Sequence, residues 1–355
     1  VTAQRFLFLC PDISGPAGGA AVIYDMVTTL RDAGRDAAVV HGHAGGHYPD
    51  YPTQVPRFWD DRLLRGRHHH TRRARGHAKL YLAQARNQLR KGDNPKLDLR
   101  RTDVIIVPEL WLSDALSAYP DQTLCGLVQN PFYLLDAHAT AQARGQDLSR
   151  QIHTFLSTSD ICHDHLDLIG APTPLKFRVS MHPDKIPFVD TKDALITYMP
   201  RKRPDMARLI HQALERRGQL QGFKLQALDH MPRTQVIEHL GRSQFFISLM
   251  HHESLGFPAA EAMAAGCVVI GFDGLGGAEY FDHDVGFPIP EGNAFGIVAQ
   301  VEQAIAALRL DPHCFDTLRQ RAAHRIQDRY PTSGFQAGVL DCWATLERNL
   351  SNNRV

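Results

Sequence analysis

Two apolar runs, Phe245-Phe246-Ile247-Ser248-Leu249-Met250 and Cys267-Val268-Val269-Ile270-Gly271-Phe272, constrain the fold more than any other part of the sequence. Each is continuous, as a strand buried on both faces requires, and each is shorter than an ordinary helix. Between them Pro258 suits a first helical turn, residues 259–265 are good helix formers, and Gly266 is a stop. A buried strand, a helix and a second buried strand form a parallel α/β unit. Glu253 then falls just before the helix N-terminus, at the carboxyl end of the first strand, and Glu261 about one turn into the helix. In open α/β sheets ligands bind in the crevice at that end.

The first peptide N–H groups of this helix, around Gly256 and Phe257, have no partner within the helix and form a natural anion site. Two carboxylates flanking a phosphate site accept hydrogen bonds from hydroxyls on either side of a bound diphosphate. That describes a nucleotide-sugar, with Glu253 on the sugar and Glu261 on the ribose. Taken alone, two glutamates at this spacing read more simply as an acidic helix start and an exposed helical residue.

The surroundings add to the pair. Glu253-x-Leu255-Gly256-Phe257-Pro258-x-x-Glu261-Ala262-Met263-x-x-Gly266-Cys267-Val268-Val269, followed by Gly276-Gly277-x-Glu279, resembles the signature of retaining GT-B glycosyltransferases of the GT4 type. Leu255 stands where Phe is commoner, and the later turn is one residue shorter than the pattern. The resemblance implies two doubly wound, Rossmann-like α/β domains facing a central cleft. It implies transfer of a sugar from a nucleoside-diphosphate sugar with retention at the anomeric carbon, to a saccharide or lipid-linked saccharide. No cofactor beyond the co-substrate and no metal ion are expected. Ser254, Leu255, Gly256 and Phe257 join Glu261 as donor-binding residues, and Glu253 is assigned to catalysis.

At 355 residues the chain is long enough for two domains, each with its own core. The divisions expected are an acceptor-side domain over residues 1–178, a donor domain over 179–332, and a C-terminal helix over 333–355 that crosses back to the first domain. A hydrophobic share of 43% with 22% charged residues is that of a soluble globular protein, and a net charge of +1 argues against a dedicated nucleic-acid binder. The cysteines at 10, 125, 162, 267, 314 and 342 form no close pairs and read as reduced thiols of a cytoplasmic protein. Residues 5–10 are too short for a signal-peptide core, and no apolar run reaches membrane-spanning length.

Along the chain, Arg5-Phe6-Leu7-Phe8-Leu9-Cys10 is a first strand, opening through a glycine turn into a helix patterned by Val22, Ile23, Met26, Val27 and Leu30. Glycine there permits a tight turn; on the resemblance, Gly18 and Gly19 also let a ligand approach the backbone. Residues 103–109 and 124–130 are two further strands ending in polar side chains. By the resemblance, Gln129 and Asn130 stand where a histidine often faces the reacting sugar, and Glu109 joins them on the acceptor side. Residues 154–157 read as the last strand of the first domain, and residues 172–187, with four prolines, as a linker.

Residues 194–199 restart the strand pattern and lead into Pro200-Arg201-Lys202-Arg203-Pro204. The resemblance gives Arg201 and Lys202 to the diphosphate, where both join Glu253 in catalysis, with Arg203 as a donor-binding substitute. Asp229-His230-Met231 ends another strand, where Met231 suits the nucleotide base. None of the histidine clusters has the spacing of a zinc site, and Asp282-His283-Asp284 reads as a solvated turn.

Between residues 57 and 101, Arg62, Arg65, Arg67, Arg72, Arg73, Arg75, Lys79, Arg86, Arg90, Lys91 and Lys96 stand against Asp60, Asp61, Asp93 and Asp98. This arm reads as a solvated helix face, as a peripheral contact with an anionic membrane at its inner face, or as a contact with a phosphate-bearing acceptor. Nucleic acid is not expected, because no aromatic platform accompanies the charges. Other activities open on the sequence are a sugar phosphorylase, a nucleotide-sugar epimerase, or a non-catalytic basic adaptor.

Overall fold

The computed structural model describes residues 4–13, 17–48, 51, 55–63 and 92–352. The chain divides into two compact units, Val1–Phe177 with Gln336–Val355, and Arg178–Phe335.

The first unit holds β1 (Arg5–Leu9), α1 (Gly18–Asp32), β2 (Asp36–His41), β3 (Arg57–Trp59), β4 (Val104–Pro108), α2 (Leu112–Ala118), β5 (Thr123–Val128), α3 (Pro131–Ala143), α4 (Leu148–Gln151), β6 (Thr154–Ser157), α5 (Asp160–Leu168) and β7 (Leu175–Lys176). Its seven strands are all parallel in the order β3-β2-β1-β4-β5-β6-β7. Strand order therefore reverses at β1 and β4, which creates a crevice at their carboxyl ends. The two strands are tied at their beginnings by a buried, two-pronged contact of Arg5 with Asp103, at 2.6 and 3.1 Å. β1, β4 and β5 read as apolar runs because both faces of the sheet are covered.

The second unit holds β8 (Asp193–Tyr198), α6 (Pro204–Arg217), β9 (Lys224–Ala227), α7 (Arg233–Arg242), β10 (Ser243–Glu253), α8 (Phe257–Ala264), β11 (Val268–Leu275), β12 (Phe287–Pro288), α9 (Ala294–Leu310) and α10 (Asp316–Arg329). Its parallel sheet has the order β12-β11-β10-β8-β9, so the reversal lies between β8 and β10. The C-terminal end of α8 is anchored from outside. Lys192 donates to the carbonyls of Gly241 and Ala265 at 2.8 and 2.7 Å, and Arg319 to that of Gly266 at 2.6 Å. Cations at helix C-termini satisfy carbonyls that the helix cannot. Burial lowers the Lys192 ammonium to a pKa of about 8.

The last helix, α11 (Thr332–Asn352), covers the first sheet. Its buried Trp343 stacks on Phe8 at 5.5 Å and meets Phe6 edge-on at 5.1 Å, and Glu347 pairs with Arg35.

Two local readings need correction. β6 is not the last strand of the first unit, because Leu175 and Lys176 pair with Leu156 and Ser157 as β7. The proline-rich stretch 172–187 does contain the division between the two units, after Phe177, but Phe177, Val179, Met181 and Ile186 are buried in it. Proline content signals missing N–H donors, not exposure. Gly18 and Gly19 do not form the turn but are the first residues of α1, after Ala17. All six cysteines are free thiols, and Cys314 is the exposed one. Among the described residues no helix is long and apolar enough to cross a membrane. The core of the basic arm, from Arg65 to Lys91, lies outside the described residues.

Candidate active site

In the second unit the polar groups gather at the reversal between β8 and β10. The loop after β8 carries Arg201, Lys202 and Arg203; β10 ends at Glu253. Lys202 Nζ lies 2.5 Å from Glu253 Oε1, with both side chains open to solvent in part. Arg201 is exposed and has no ion pair among the described residues. Arg203 is different: its side chain is nearly enclosed, its guanidinium lies 5.0 Å over the Phe272 ring, and it bonds to His251 Nδ1 and Glu291. Burial first, and then the Arg203 charge, holds the His251 imidazole below its usual range. The His251 and His252 rings stack at 3.8 Å, and Met231 is half-buried after the left-handed His230.

The link from Glu253 to α8 depends on one glycine. Gly256 has φ +79°, where any other residue is strained, and a Cβ there would fall 1.8 Å from Met250 Sδ and force that side chain to move. The buried Tyr280 hydroxyl donates to the Gly256 carbonyl at 2.7 Å and holds this turn from beneath. Gly276 packs just as closely, because a Cβ would lie 1.8 Å from the Ser254 carbonyl oxygen. Ser254 and Leu255 are buried and Phe257 begins the helix. The N-cap residue, Gly256, has no side chain to cap this N-terminus, so its leading N–H groups can receive an anion.

One turn into α8, Glu261 is buried, and its carboxylate is 2.8 Å from Arg233 Nη2 on α7. Burial raises the Glu261 pKa; Arg233 and then His182 pull it back down. Glu279 is committed elsewhere: it accepts from the Tyr330 hydroxyl at 3.0 Å, and Arg329 and Arg178 lie at 3.6 and 3.7 Å. Asp282 accepts from Arg325 at 2.6 Å, which makes 282–284 a braced turn.

In the first unit a second set lies at the reversal between β1 and β4. A Cβ on Gly19 would lie 3.5 Å from the Gln129 amide, so the start of α1 and the end of β5 approach closely. The Gln129 N–H donates to Glu109 Oε2 at 3.1 Å. Glu109 is buried, and that burial pushes its carboxyl up to about 7 despite backbone donors from Gln129 and Asn130. Asn130 caps α3: its side-chain oxygen accepts from Phe132 N at 3.0 Å and Tyr133 N at 3.4 Å. Among the described residues no cluster of three or more His, Cys, Asp or Glu side chains is arranged to hold a metal ion.

Residues 207–313, which include Glu253 and Glu261, match the family described as glycosyl transferases group 1. An alpha-1,6-glucosyltransferase of Actinobacillus pleuropneumoniae serotype 7 is 28% identical over 278 residues, covering 74% of this chain and 81% of the relative. The chain is a glycosyltransferase. Sucrose-phosphate synthase from Thermosynechococcus elongatus superposes with a TM-score of 0.64 at 14% identity, over 99% of this chain and 100% of the other. HepE of Anabaena, solved with UDP and glucose, superposes with a TM-score of 0.60 at 14% identity, over 96% and 99%. At such identities the likeness is one of fold, that of GT-B enzymes.

Several residues of this candidate site carry little sequence signal. Arg233 and Tyr280 are placed against Glu261 and Gly256 by sheet order, 28 and 24 positions away along the chain. In the first unit Asp12 accepts from His41 Nδ1 at 3.0 Å, and Tyr24 meets the other ring nitrogen at 2.9 Å. Asp12 is also 3.6 Å from His43, so these histidines belong to a buried polar network.

Proposed function

We propose that this glycosyltransferase is a retaining enzyme of the GT4 type that transfers glucose from UDP-glucose to a saccharide or lipid-linked saccharide, without a metal ion, in the cytoplasm. The observation that carries the reading is the Lys202–Glu253 pair, set at the strand reversal beside the open N-terminus of α8. A cation, a carboxylate and a helix N-terminus are the groups needed by a diphosphate joined to a sugar. The glucosyltransferase relative and the UDP and glucose seen on HepE favour glucose and uridine as the two ends of the donor.

In this reading Glu253 accepts from sugar hydroxyls, while Lys202, Arg201 and the first N–H groups of α8 face the diphosphate. Arg203 adds positive charge behind them, Glu261 receives the ribose hydroxyls, and Met231 lies against the base. The acceptor is assigned to Glu109, Gln129 and Asn130, with Gly18 and Gly19 leaving room for backbone approach. An acceptor hydroxyl oxygen attacks the anomeric carbon from the side the phosphate leaves. As the bond from that carbon to the phosphate oxygen breaks, the leaving phosphate takes the acceptor proton. The products are an α-glucoside and UDP. Fixed cations at the leaving oxygen stabilise the transition state more than the ground state, and only that difference accelerates the reaction.

The reading is tested by slow hydrolysis of UDP-glucose, with water in place of the acceptor, followed by proton NMR in EDTA. The α-anomer of glucose should appear first, with an undiminished rate. First formation of the β-anomer would refute retention; loss of turnover restored by Mg²⁺ would refute metal independence.

A further inference from the structure

The first unit contains a groove that none of these roles uses. It lies between α2 and α3, has a volume of about 330 Å³, and is lined by Leu110, Ser113, Asp114, Tyr133, Asp136 and Arg144. That size is at the lower end of the roughly 300–1,000 Å³ of small-ligand sites. Its lining combines two kinds of chemistry. Tyr133 and Leu110 are exposed apolar groups in its lining. The rest of the lining is largely polar, and part of it is held in place: Arg144 donates to Asp114 at 2.7 Å and to the Ser113 hydroxyl at 2.9 Å. Asp136 projects from α3 without an ion pair among the described residues.

We infer that this groove is a saccharide subsite, holding a neutral hexose unit of the acceptor at a distance from the unit that receives glucose. A pyranose has one face of C–H bonds and a rim of hydroxyls. The Tyr133 ring is a rigid platform for the first, and carboxylates and a guanidinium serve the second. Two carboxylates against one guanidinium leave the groove negative, which disfavours acidic sugars and phosphates. A lipid chain would need a continuous apolar wall, which Asp114, Asp136 and Arg144 interrupt. Position along the chain agrees: Leu110 directly follows Glu109, and Tyr133 lies in the helical turn capped by Asn130. The groove therefore begins where the acceptor-side residues end, and assigning its ligand to the acceptor rests on the sugar-transfer reading.

The test is ligand-observed NMR of the full chain with two neutral trisaccharides, maltotriose and cellotriose. At least one should bind. Tyr133→Ala should weaken binding roughly tenfold or more, as truncating a central aromatic anchor commonly does. Asp136→Ala should weaken it less. Both side chains are exposed, so the variants should fold, and an unchanged unfolding midpoint with retained UDP affinity verifies that. Failure of both trisaccharides to bind, or wild-type affinity in both variants, would overturn the groove assignment. UDP-glucose hydrolysis is followed separately. Tyr133-dependent binding without donor turnover would overturn the sugar-transfer reading and leave the groove standing; donor turnover without Tyr133-dependent binding would do the reverse.

Discussion

Replacing Arg233 by Ala should turn Glu261 from a paired group into a buried, unpaired carboxylate. The geometry bounds the cost. The Glu261 side chain is 11% exposed and that of Arg233 40%, with 2.8 Å between them. Breaking a fully buried pair costs about 3–5 kcal/mol, and exposed pairs are worth about 0–1 kcal/mol. Because Arg233 remains partly solvated, an intermediate loss of roughly 1–3 kcal/mol is expected at neutral pH. The loss should depend on pH with a definite sign. Burial raises the folded-state pKa of Glu261 above the ordinary carboxylate value. Between the two values the folded protein binds more protons than the unfolded chain, so this group's contribution falls as pH rises through the raised value. Removing Arg233 raises the folded value further and widens that window upward. The defect should therefore be greatest above the raised value and vanish below the ordinary one, where the carboxyl is protonated in both states. Urea unfolding followed by circular dichroism across pH measures it. Glu261→Gln should remove most of the dependence and rescue the double variant. A defect of equal size at all pH values, or no rescue by Glu261→Gln, would refute the argument.

Two other substitutions examine the donor side. With the proposed donor at saturation, Arg201→Ala and Lys202→Ala should each lower turnover by ~10²–10³-fold, the usual effect of losing one donor to a developing oxyanion; near-normal turnover in both would remove this loop from catalysis. Tyr280→Phe should cost about 1–3 kcal/mol in urea unfolding, because the Gly256 carbonyl is left without its buried donor. It should also reduce turnover by loosening the turn between Glu253 and α8, and wild-type stability and rate together would show that the hydroxyl is dispensable.

Local chemistry explains what could be read directly from the chain. Residues 245–250 and 267–272 have to be buried on both faces, and residues 258–266 have the start, body and stop of a helix, so the strand–helix–strand unit needed no distant partner. The same reasoning placed Glu253 at the end of β10, Glu261 inside α8 and the cationic loop after β8. It failed where composition stood in for geometry. The prolines of 172–187 suggested a linker, and the units do divide there, but composition gave no sign of β7 or of the four buried apolar side chains among them. Gly18 and Gly19 suggested a turn, yet they begin a helix, because glycine permits unusual backbone conformations without requiring them.

Only tertiary structure decided which charges meet. Lys202 reaches Glu253 because β8 and β10, separated in sequence by β9, are neighbours in the sheet. Arg203, adjacent to Lys202 and of the same charge, is instead enclosed against Phe272, His251 and Glu291. Arg233 finds Glu261, and Tyr280 finds the Gly256 carbonyl, through packing that leaves no periodic trace in the chain. Periodicity and helix signals depend on neighbours within a few residues, so the sequence alone determined the elements and the ends at which polar groups collect. Ion pairing depends on distances of a few ångströms between segments far apart in the chain, and those distances exist only once the sheet order is set.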